Sequence, residues 1–355
     1  MDAFNSYISG SMDLSVFRKM LKFIQLRITD KYEIPPDIIK IKDTTIATLG
    51  NISASVGKPK CKKTFNVSAI VASALIGQEV LYYKAYLPEG KEKILYVDTE
   101  QSKCHCHKVM ARILKLAGLS LNEEPKNLKF LMLREYTPDQ RRQIISCAIE
   151  EDRHIGLVII DGIRDLLRDI NSPGESQDVM GDLMRWTSHY NIHVHTVLHL
   201  NKGDDNTRGH IGTELNNKAE TVLQITKCAN DSNISEVKAM HIRDKEFEPF
   251  GFRINNDALP EIAKDYSINV ERRMTLDSIP EELHRQVLEE VFSDGDIVKY
   301  DVLVDMLQKS YAKVNYKRGK SKINELMKYL SGRNIIEKTA AGYHYNPDFE
   351  TSQEE

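Results

Sequence analysis

Between about residue 41 and residue 255, short aliphatic and β-branched runs alternate with segments whose apolar residues recur at helical spacing. The runs "TIATLGNISAS", "KILYVDTE", "LKFLML", "IGLVIIDG" and "IHVHTVLHL" read as strands. Between them "TFNVSAIVASALIG", "HKVMARILKLAG", "DQRRQIISCAIEE" and "SQDVMGDLMRWTSHY" read as helices. The runs "AETVLQIT", "EVKAMHIRD" and "FGFRI" continue the series as late strands. This alternation implies a mostly parallel sheet covered by helices on both faces. Such α/β sheets bind ligands at the carboxyl ends of their strands. The loops that follow strands are therefore where chemistry is expected.

The flanks read differently. Residues 1 to 40 form a helical extension with Val16, Met20, Phe23, Ile24 and Leu26 near helix spacing, stopped by Pro35-Pro36. After a linker at 256 to 276, "IPEELHRQVLEEVF", "KYDVLVDMLQKSY" and "SKINELMKYLSGRN" read as three helices. "IIEKTAAGYHYNP" then reads as two short strands around a glycine turn. That order, over 277 to 348, is the outline of a winged helix-turn-helix, and a polar tail occupies 349 to 355.

Composition excludes several classes. The formal net charge is -3 and the apolar fraction 41%, as in an ordinary soluble globular protein, so a nucleic-acid partner must be argued from local patches. The 5 cysteines show no disulfide-framework spacing, which fits a reduced, cytoplasmic compartment. The first residues lack a basic region followed by an apolar core, so no secretory signal is expected. No apolar run approaches the roughly 18 residues that would span a bilayer, so no membrane partner is expected.

The stretch "GKPKCKKT" lies between an expected strand and an expected helix. It matches G-x-x-x-x-G-K-[ST] at Gly57, Lys63 and Thr64, but Lys62 stands where the second glycine belongs. Strand, turn and helix N-terminus are what a phosphate cradle needs. Lys63 would reach the β- and γ-phosphates of ATP, and Thr64 would offer its hydroxyl to Mg²⁺. Gly57, Lys58, Lys62, Lys63, Thr64 and Phe65 form the candidate ATP-binding set. Two other readings stand beside it: a basic surface loop without chemistry, and a deviant loop in which Lys58 is the signature lysine. The second would want glycines where Pro59 and Lys60 stand.

Two carboxylates follow in the order such a loop requires. In "LVIIDG" a buried strand delivers Asp161 to its carboxyl end, the Walker B arrangement that holds Mg²⁺, usually through water. In "ILYVDTEQ", Glu100 follows the strand after the loop's helix and could polarise an attacking water, with Asp98 as its competitor.

This succession, followed by "HTVLHLNKGDDNTRGHIGTELNNKAETVLQIT", resembles the RecA-like ATPase core over about residues 35 to 255. Within it the chain looks most like RepA-type hexameric helicases and the related ATPases of plasmids and mobilisable elements. The resemblance implies that His199 and Asn201 sense the γ-phosphate. It also implies that the loop from Lys202 to Asn217 faces DNA, with Lys202, Arg208 and His210 as contacts, although Asp204 and Asp205 weaken a phosphate surface there. In "HIRDKEF", Arg243 would be an arginine finger and Lys245 its companion, acting on a neighbour's nucleotide in a homo-oligomer, a hexamer favoured. A solvated edge strand is the alternative for both. Lys62 departs from the glycine pattern and leaves open whether its side chain turns away from the nucleotide.

Two histidine-containing clusters carry less. In "CHCH", Cys104 to His107, alternate positions at a helix start point to different faces, unlike zinc pairs. His193, His195 and His199 share one strand face, and only His199 is near enough to the carboxyl end to meet a ligand. In the C-terminal module, the stretch Lys309 to Lys322 has basic and no acidic residues, with Tyr311 and Tyr316 interleaved. Lys313, Lys317, Arg318, Lys320 and Lys322 are its candidate DNA phosphate contacts, with Asn324, Lys328 and the hairpin at Gly342 placed beside a groove. A protein-docking module is the alternative there.

The chain is thus expected to be an ATP-hydrolysing, DNA-associated helicase or translocase of a mobile genetic element. The alternatives are an ATP-gated DNA-binding regulator and an adaptor that uses the altered loop as a basic docking surface.

Overall fold

The computed structural model describes residues 14–201, 207–228, 231–266, 276, 279–293, 295, 297–314, 316 and 318–347. The chain divides into two compact units, Met1–Tyr266 and Ser267–Glu355.

The first unit opens with helix α1 (Leu14–Ile24), strands β1 (Asp37–Ile41), β2 (Thr44–Thr48) and β3 (Ile52–Gly57), then α2 (Lys63–Ile76). Short strands β4 (Glu79–Val80) and β5 (Tyr83–Ala85) precede β6 (Lys93–Asp98), α3 (Lys103–Leu116), β7 (Leu128–Met132) and α4 (Pro138–Glu151). Strand β8 (Ile155–Asp161), a 3-10 turn at Ile163–Leu166, α5 (Pro173–Tyr190), β9 (His193–His199) and α6 (Gly209–Lys218) follow. Strands β10 (Thr221–Lys227), β11 (Ser235–Ile242), β12 (Phe250–Ile254) and β13 (Pro260–Ile262) close the unit.

The main sheet has the order β13-β12-β11-β10-β3-β9-β8-β6-β7. From β10 to β7 every neighbouring pair is parallel. The remaining pairs are antiparallel, which turns one edge into a meander. The alternation of side chains along a strand divides the core between two faces. Ile94, Tyr96, Leu157 and Ile159 enter one apolar cluster with α2 and α3, whereas Leu95, Val97, Val158 and Ile160 enter a second with α4, α5 and α6. Helices on both faces explain why β8 reads as a continuous apolar run. This is an α/β fold with a central, mostly parallel sheet flanked by helices.

Three details depart from the sequence reading. β1, β2, β4 and β5 form a second small sheet, so strand pairing begins at Asp37, inside the stretch read as helical extension. β13 and Tyr266 fall inside the stretch read as linker. There the Tyr266 ring lies against Gly251, where an added Cβ would sit 2.5 Å from it, and its hydroxyl donates to Glu236 at 2.6 Å. Finally, much of the segment read as a loop from 202 to 217 is helix α6, because Ile211 and Leu215, one turn apart, bury fully into the core.

Beneath the cavity end of the sheet, β3 and β9 share a buried polar ladder. His193 Nδ1 lies 2.8 Å from the Thr48 carbonyl, which can only accept, so Nδ1 carries the proton. Ser53 then donates to His193 Nε2 and accepts from His195 Nδ1, both at 2.7 Å, and Ser55 donates to His195 Nε2 at 2.9 Å. One carbonyl thereby fixes both tautomers. Burial pushes the His193 pKa down to about 4 and, with His193 beside it, that of His195 to about 3.

The second unit contains α7 (Glu281–Val291), α8 (Tyr300–Lys313), α9 (Lys320–Gly332) and a hairpin of β14 (Ile336–Lys338) and β15 (Tyr343–Tyr345). Val287, Leu303, Leu307, Tyr311, Leu326 and Leu330 form its core. Val298 bridges to Tyr343, and an added Cβ on Gly342 would fall 2.6 Å from the Val298 carbonyl, so only glycine fits that approach. Among the described residues no helix is long and apolar enough to cross a membrane.

Candidate nucleotide site

The register of the parallel strands brings the candidate residues together. Gly57 pairs with His199, Asp98 with Asp161, and Asp161 with Val197, so the ends of β3, β9, β8 and β6 stand side by side. The loops leaving them surround a cavity of about 270 Å³ whose lining includes Lys63, Thr64, Glu100, Arg112, Asp161 and His199.

The loop keeps a cradle shape without its second glycine. Lys60 has φ 64° and Lys62 φ 70°, both left-handed, and these two turns fold the chain back onto the α2 N-terminus. For a non-glycine residue this conformation costs about 1–2 kcal/mol. Gly57 is required for another reason: a Cβ there would lie 2.3 Å from the Ile225 carbonyl and 2.5 Å from Cys61 Sγ. Lys62 borders the cavity, and its side chain donates to the Asn233 carbonyl, in the turn between β10 and β11. Burial, with Lys227 nearby, lowers its pKa.

Lys63 lies inward. Its Nζ donates to the carbonyls of Gly57 at 2.8 Å and Lys58 at 3.1 Å, and sits 3.1 Å from His199 Nδ1. Burial lowers its pKa, opposed by Cys61 and Asp161. No side chain caps the N-terminus of α2, and its first turn has no acidic residue. Uncapped N–H groups, an inward ammonium and two left-handed turns are a donor set suited to phosphate oxygens.

Beside the cradle, Thr64 Oγ1 and Tyr96 OH each donate to Asp161 Oδ2 at 3.0 Å. Burial, reinforced by Asp98, raises the Asp161 pKa to about 6. A hydroxyl and a carboxylate in contact at the helix start are hard oxygen donors fitted to Mg²⁺, which takes few protein ligands and retains water.

Asp98 and Glu100 separate into distinct roles. Asp98 is buried, and its oxygens accept from the Glu100 and Gln101 amides at 3.0 and 2.7 Å and from Gln101 Nε2 at 2.8 Å. A carboxylate so occupied shapes the turn. Both residues line the cavity, but Glu100 is the exposed one, with Oε1 3.8 Å from His199 Nε2. Burial raises the Glu100 pKa, with further contributions from Asp165, Asp161 and Asp98 and opposition from Lys63. His199 thus stands between the ammonium and the carboxylate, and its own pKa is lowered by burial and then by Lys63 and Arg208.

Sequence reasoning missed several lining residues. Arg112 of α3 stacks its guanidinium 3.6 Å above the centre of the Phe65 ring, so Phe65 packs as the floor for a cation. Gln101 and Arg164, which also line the cavity, and Tyr96, buried behind Asp161, likewise had no motif to mark them.

The other candidates lie elsewhere. Asn201 follows β9 and is half-buried, while Lys202, with Asp204 and Asp205, lies outside the described residues. Arg208 is exposed, its amide donating to the His199 carbonyl at 3.2 Å, and His210 is exposed on α6. Arg243 and Lys245 follow β11 at the opposite rim, where Arg243 donates to the Glu220 and Lys218 carbonyls at 3.0 and 3.4 Å. Ile242 pairs with Thr221, and Thr221 with Ser53, so Arg243 lies roughly 13 Å or more from the cradle of its own chain. Cys104 is exposed and Cys106 buried, so the "CHCH" positions do divide between faces.

In the second unit several of the basic residues are paired. Lys313 contacts Glu290, Lys320 lies 3.0 Å from Asp305, and Lys322 lies 2.6 Å from Glu325. Arg318 stacks 4.8 Å from the centre of the Tyr316 ring, Asn324 accepts from Tyr300 at 3.1 Å, and Lys328 is exposed. Lys317 lies outside the described residues.

A family model described as an AAA domain matches residues 33–205, the stretch that holds the cradle, Glu100, Asp161 and His199. No curated protein matches the chain. The match supports a P-loop ATPase domain of AAA type, with nucleotide binding and hydrolysis, typically with Mg²⁺, as its general activity.

Proposed function

We propose that the chain is an ATP-hydrolysing, DNA-associated motor of the RecA-like type, close in design to RepA-type helicases of mobile elements. The observation that carries this reading is the convergence of Lys63, Thr64, Glu100, Asp161 and His199 on one cavity. In ATP-bound form Lys63 would exchange the Gly57 and Lys58 carbonyls for phosphate oxygens, a better partner for an ammonium. Mg²⁺, when bound, would neutralise charge on the β- and γ-phosphates. Thr64 and Asp161 would hold it, and both already share a hydrogen bond. Glu100 would accept a proton from the attacking water, its raised basicity favouring that task. His199, within reach of both Lys63 and Glu100, would register the γ-phosphate.

Arg243 cannot reach the cavity of its own chain, so its catalytic role belongs to a neighbouring subunit in a homo-oligomer, of which a hexamer is the favoured form. The second unit, three helices and a hairpin, serves as a winged-helix DNA-binding domain. Arg318 and the lysines of α8 and α9 would trade exposed ion pairs, worth little in water, for DNA phosphates. Hydrolysis then drives replication, mobilisation or excision of the element in the cytoplasm.

The test is ATP hydrolysis with and without single-stranded DNA, in wild type and Lys63→Ala, together with strand separation on a forked duplex. DNA-stimulated turnover that disappears in Lys63→Ala supports the motor. Turnover without strand separation favours an ATP-gated regulator, and unchanged DNA binding with no turnover favours an adaptor.

A further inference from the structure

Asp165 takes no part in the reaction outlined above, yet it lies against the turn that carries Glu100. Its Oδ2 is 3.0 Å from the hydroxyl of Thr99, the residue between Asp98 and Glu100. The same hydroxyl is 3.1 Å from the Asp161 carbonyl and 3.0 Å from the Gly162 carbonyl, and the Thr99 amide donates to Asp161 at 3.2 Å. The turn after β6 is therefore stitched to the turn after β8. Gly162 permits the approach. It has φ 107°, and an added Cβ would meet Thr99 Oγ1 at 2.2 Å, Glu100 Cγ at 3.2 Å and Asp165 Oδ2 at 3.3 Å.

Asp165 is also braced from behind. Its amide donates to the Gly162 carbonyl at 3.0 Å, and Arg164 Nη1 lies 3.2 Å from its Oδ1. Arg141 donates through Nη1 to the Asp165 carbonyl at 2.7 Å, while its Nε and Nη2 hold the Leu133 and Arg134 carbonyls at 2.8 and 2.9 Å. The Glu100 side chain, by contrast, is half exposed, with an imidazole 3.8 Å away in place of a close hydrogen bond. Where its carboxylate stands is decided by the backbone beneath it.

We propose that Asp165 is a positioning residue: by clasping Thr99 it fixes the turn from which Glu100 addresses the attacking water. This rests on Glu100 being the base. A displacement of about 1 Å at such a group can cost on the order of a hundredfold in rate, so a clasp one residue away has leverage.

The test uses the full-length chain and compares wild type, Glu100→Gln, Asp165→Ala, Asp165→Asn, Thr99→Val and the Thr99→Val/Asp165→Ala pair. It reads ATP turnover, affinity for a non-hydrolysable ATP analogue with Mg²⁺, and thermal midpoint. Asp165→Ala and Thr99→Val should each lower kcat about tenfold while analogue affinity stays within about twofold, and the pair should be no slower than the slower single variant. Asp165→Asn retains an acceptor for Thr99 and should recover most of the rate. Should Asp165→Ala lose its fold, Thr99→Val, which removes the other half of the same contact, carries the comparison against Asp165→Asn. Independent, multiplying losses in the pair, or loss of analogue affinity matching the loss of rate, would overturn the clasp. If Glu100→Gln is inactive while Asp165→Ala and Thr99→Val keep wild-type rates, this inference alone falls. If Glu100→Gln keeps the wild-type rate, the base assignment falls and the clasp with it.

Discussion

Thr64 and Asp161 share a hydrogen bond of 3.0 Å across the cavity floor, and Tyr96 donates to the same carboxylate oxygen at the same distance. The two residues proposed to hold the metal are thus in contact, and Asp161 is oriented by neighbours on β6 and α2. Removing its charge while keeping its shape should separate metal binding from phosphate binding. Asp161→Asn should bind ATP without Mg²⁺ about as wild type does, but lose roughly 10–100-fold of the affinity that Mg²⁺ adds. Titrating a fluorescent ATP analogue with and without Mg²⁺ reads both quantities. An unchanged Mg²⁺ effect would exclude Asp161 from the metal site.

Lys62 holds a glycine's conformation with a side chain that points to the Asn233 carbonyl. Lys62→Gly should relieve about 1 kcal/mol of left-handed strain and lose a bond worth about as much, leaving stability nearly unchanged. ATP affinity should stay within about twofold, since the ammonium is engaged by the Asn233 carbonyl. Lys62→Val places a β-branched residue at φ 70° and should cost about 2 kcal/mol or more, weakening nucleotide binding as the loop distorts. Chemical denaturation and nucleotide titration of the two variants check this. A large affinity loss in Lys62→Gly would instead make Lys62 a phosphate ligand.

How much of this was legible beforehand differs by residue. Lys63, Thr64, Glu100, Asp161 and His199 could be aligned because each closes or directly follows a strand or opens a helix, and parallel strands bring such ends together whatever their order. That Asp98 would be taken up by the Glu100 and Gln101 amides was not legible, since both carboxylate residues border the cavity and spacing does not say which is engaged by the backbone. Tyr96, Arg112 and Asp165 were invisible for a related reason: their meaning lies in cross-strand and interhelix contacts, with Asp161, Phe65 and Thr99, that no local spacing encodes. β4 and β5, two and three residues long, are too short to show a period. The polar, glycine-flanked sequence of α6 hid the buried pair Ile211 and Leu215.

The histidine ladder predicts a stability profile. His193 and His195 titrate near 4 and 3 when folded and near 6.5 when unfolded. Between those limits these two histidines bind more protons in the unfolded chain, so their contribution to stability falls as pH drops from 6.5 toward 4. For His193 the loss is on the order of 3 kcal/mol. Buried carboxyls with raised pKa, Asp98 and Glu220 among them, act in the opposite sense, so the ladder is read by difference. A His193→Asn/His195→Gln variant should be less stable at pH 8, yet lose less on acidification than wild type. Urea unfolding from pH 8 to pH 4 measures both slopes, and parallel curves would contradict the ladder's role.

Arg243 supplies the last prediction, because its place at the far rim makes it useless to its own cavity. If catalysis is shared between subunits, Glu100→Gln and Arg243→Ala should each abolish turnover while leaving nucleotide affinity within a few fold. Mixed one to one, they should regain a fraction of wild-type activity, since some interfaces then pair an intact base with an intact arginine. For a two-residue interface mixed at random, about one quarter of the sites carry both. Lys245→Ala, one step further from β11, should cost less than Arg243→Ala, as expected of a companion charge. The assay is steady-state ATP hydrolysis across mixing ratios, with assembly followed by mass in solution. A mixture as inactive as its components would place Arg243 in the edge of the sheet and outside the reaction.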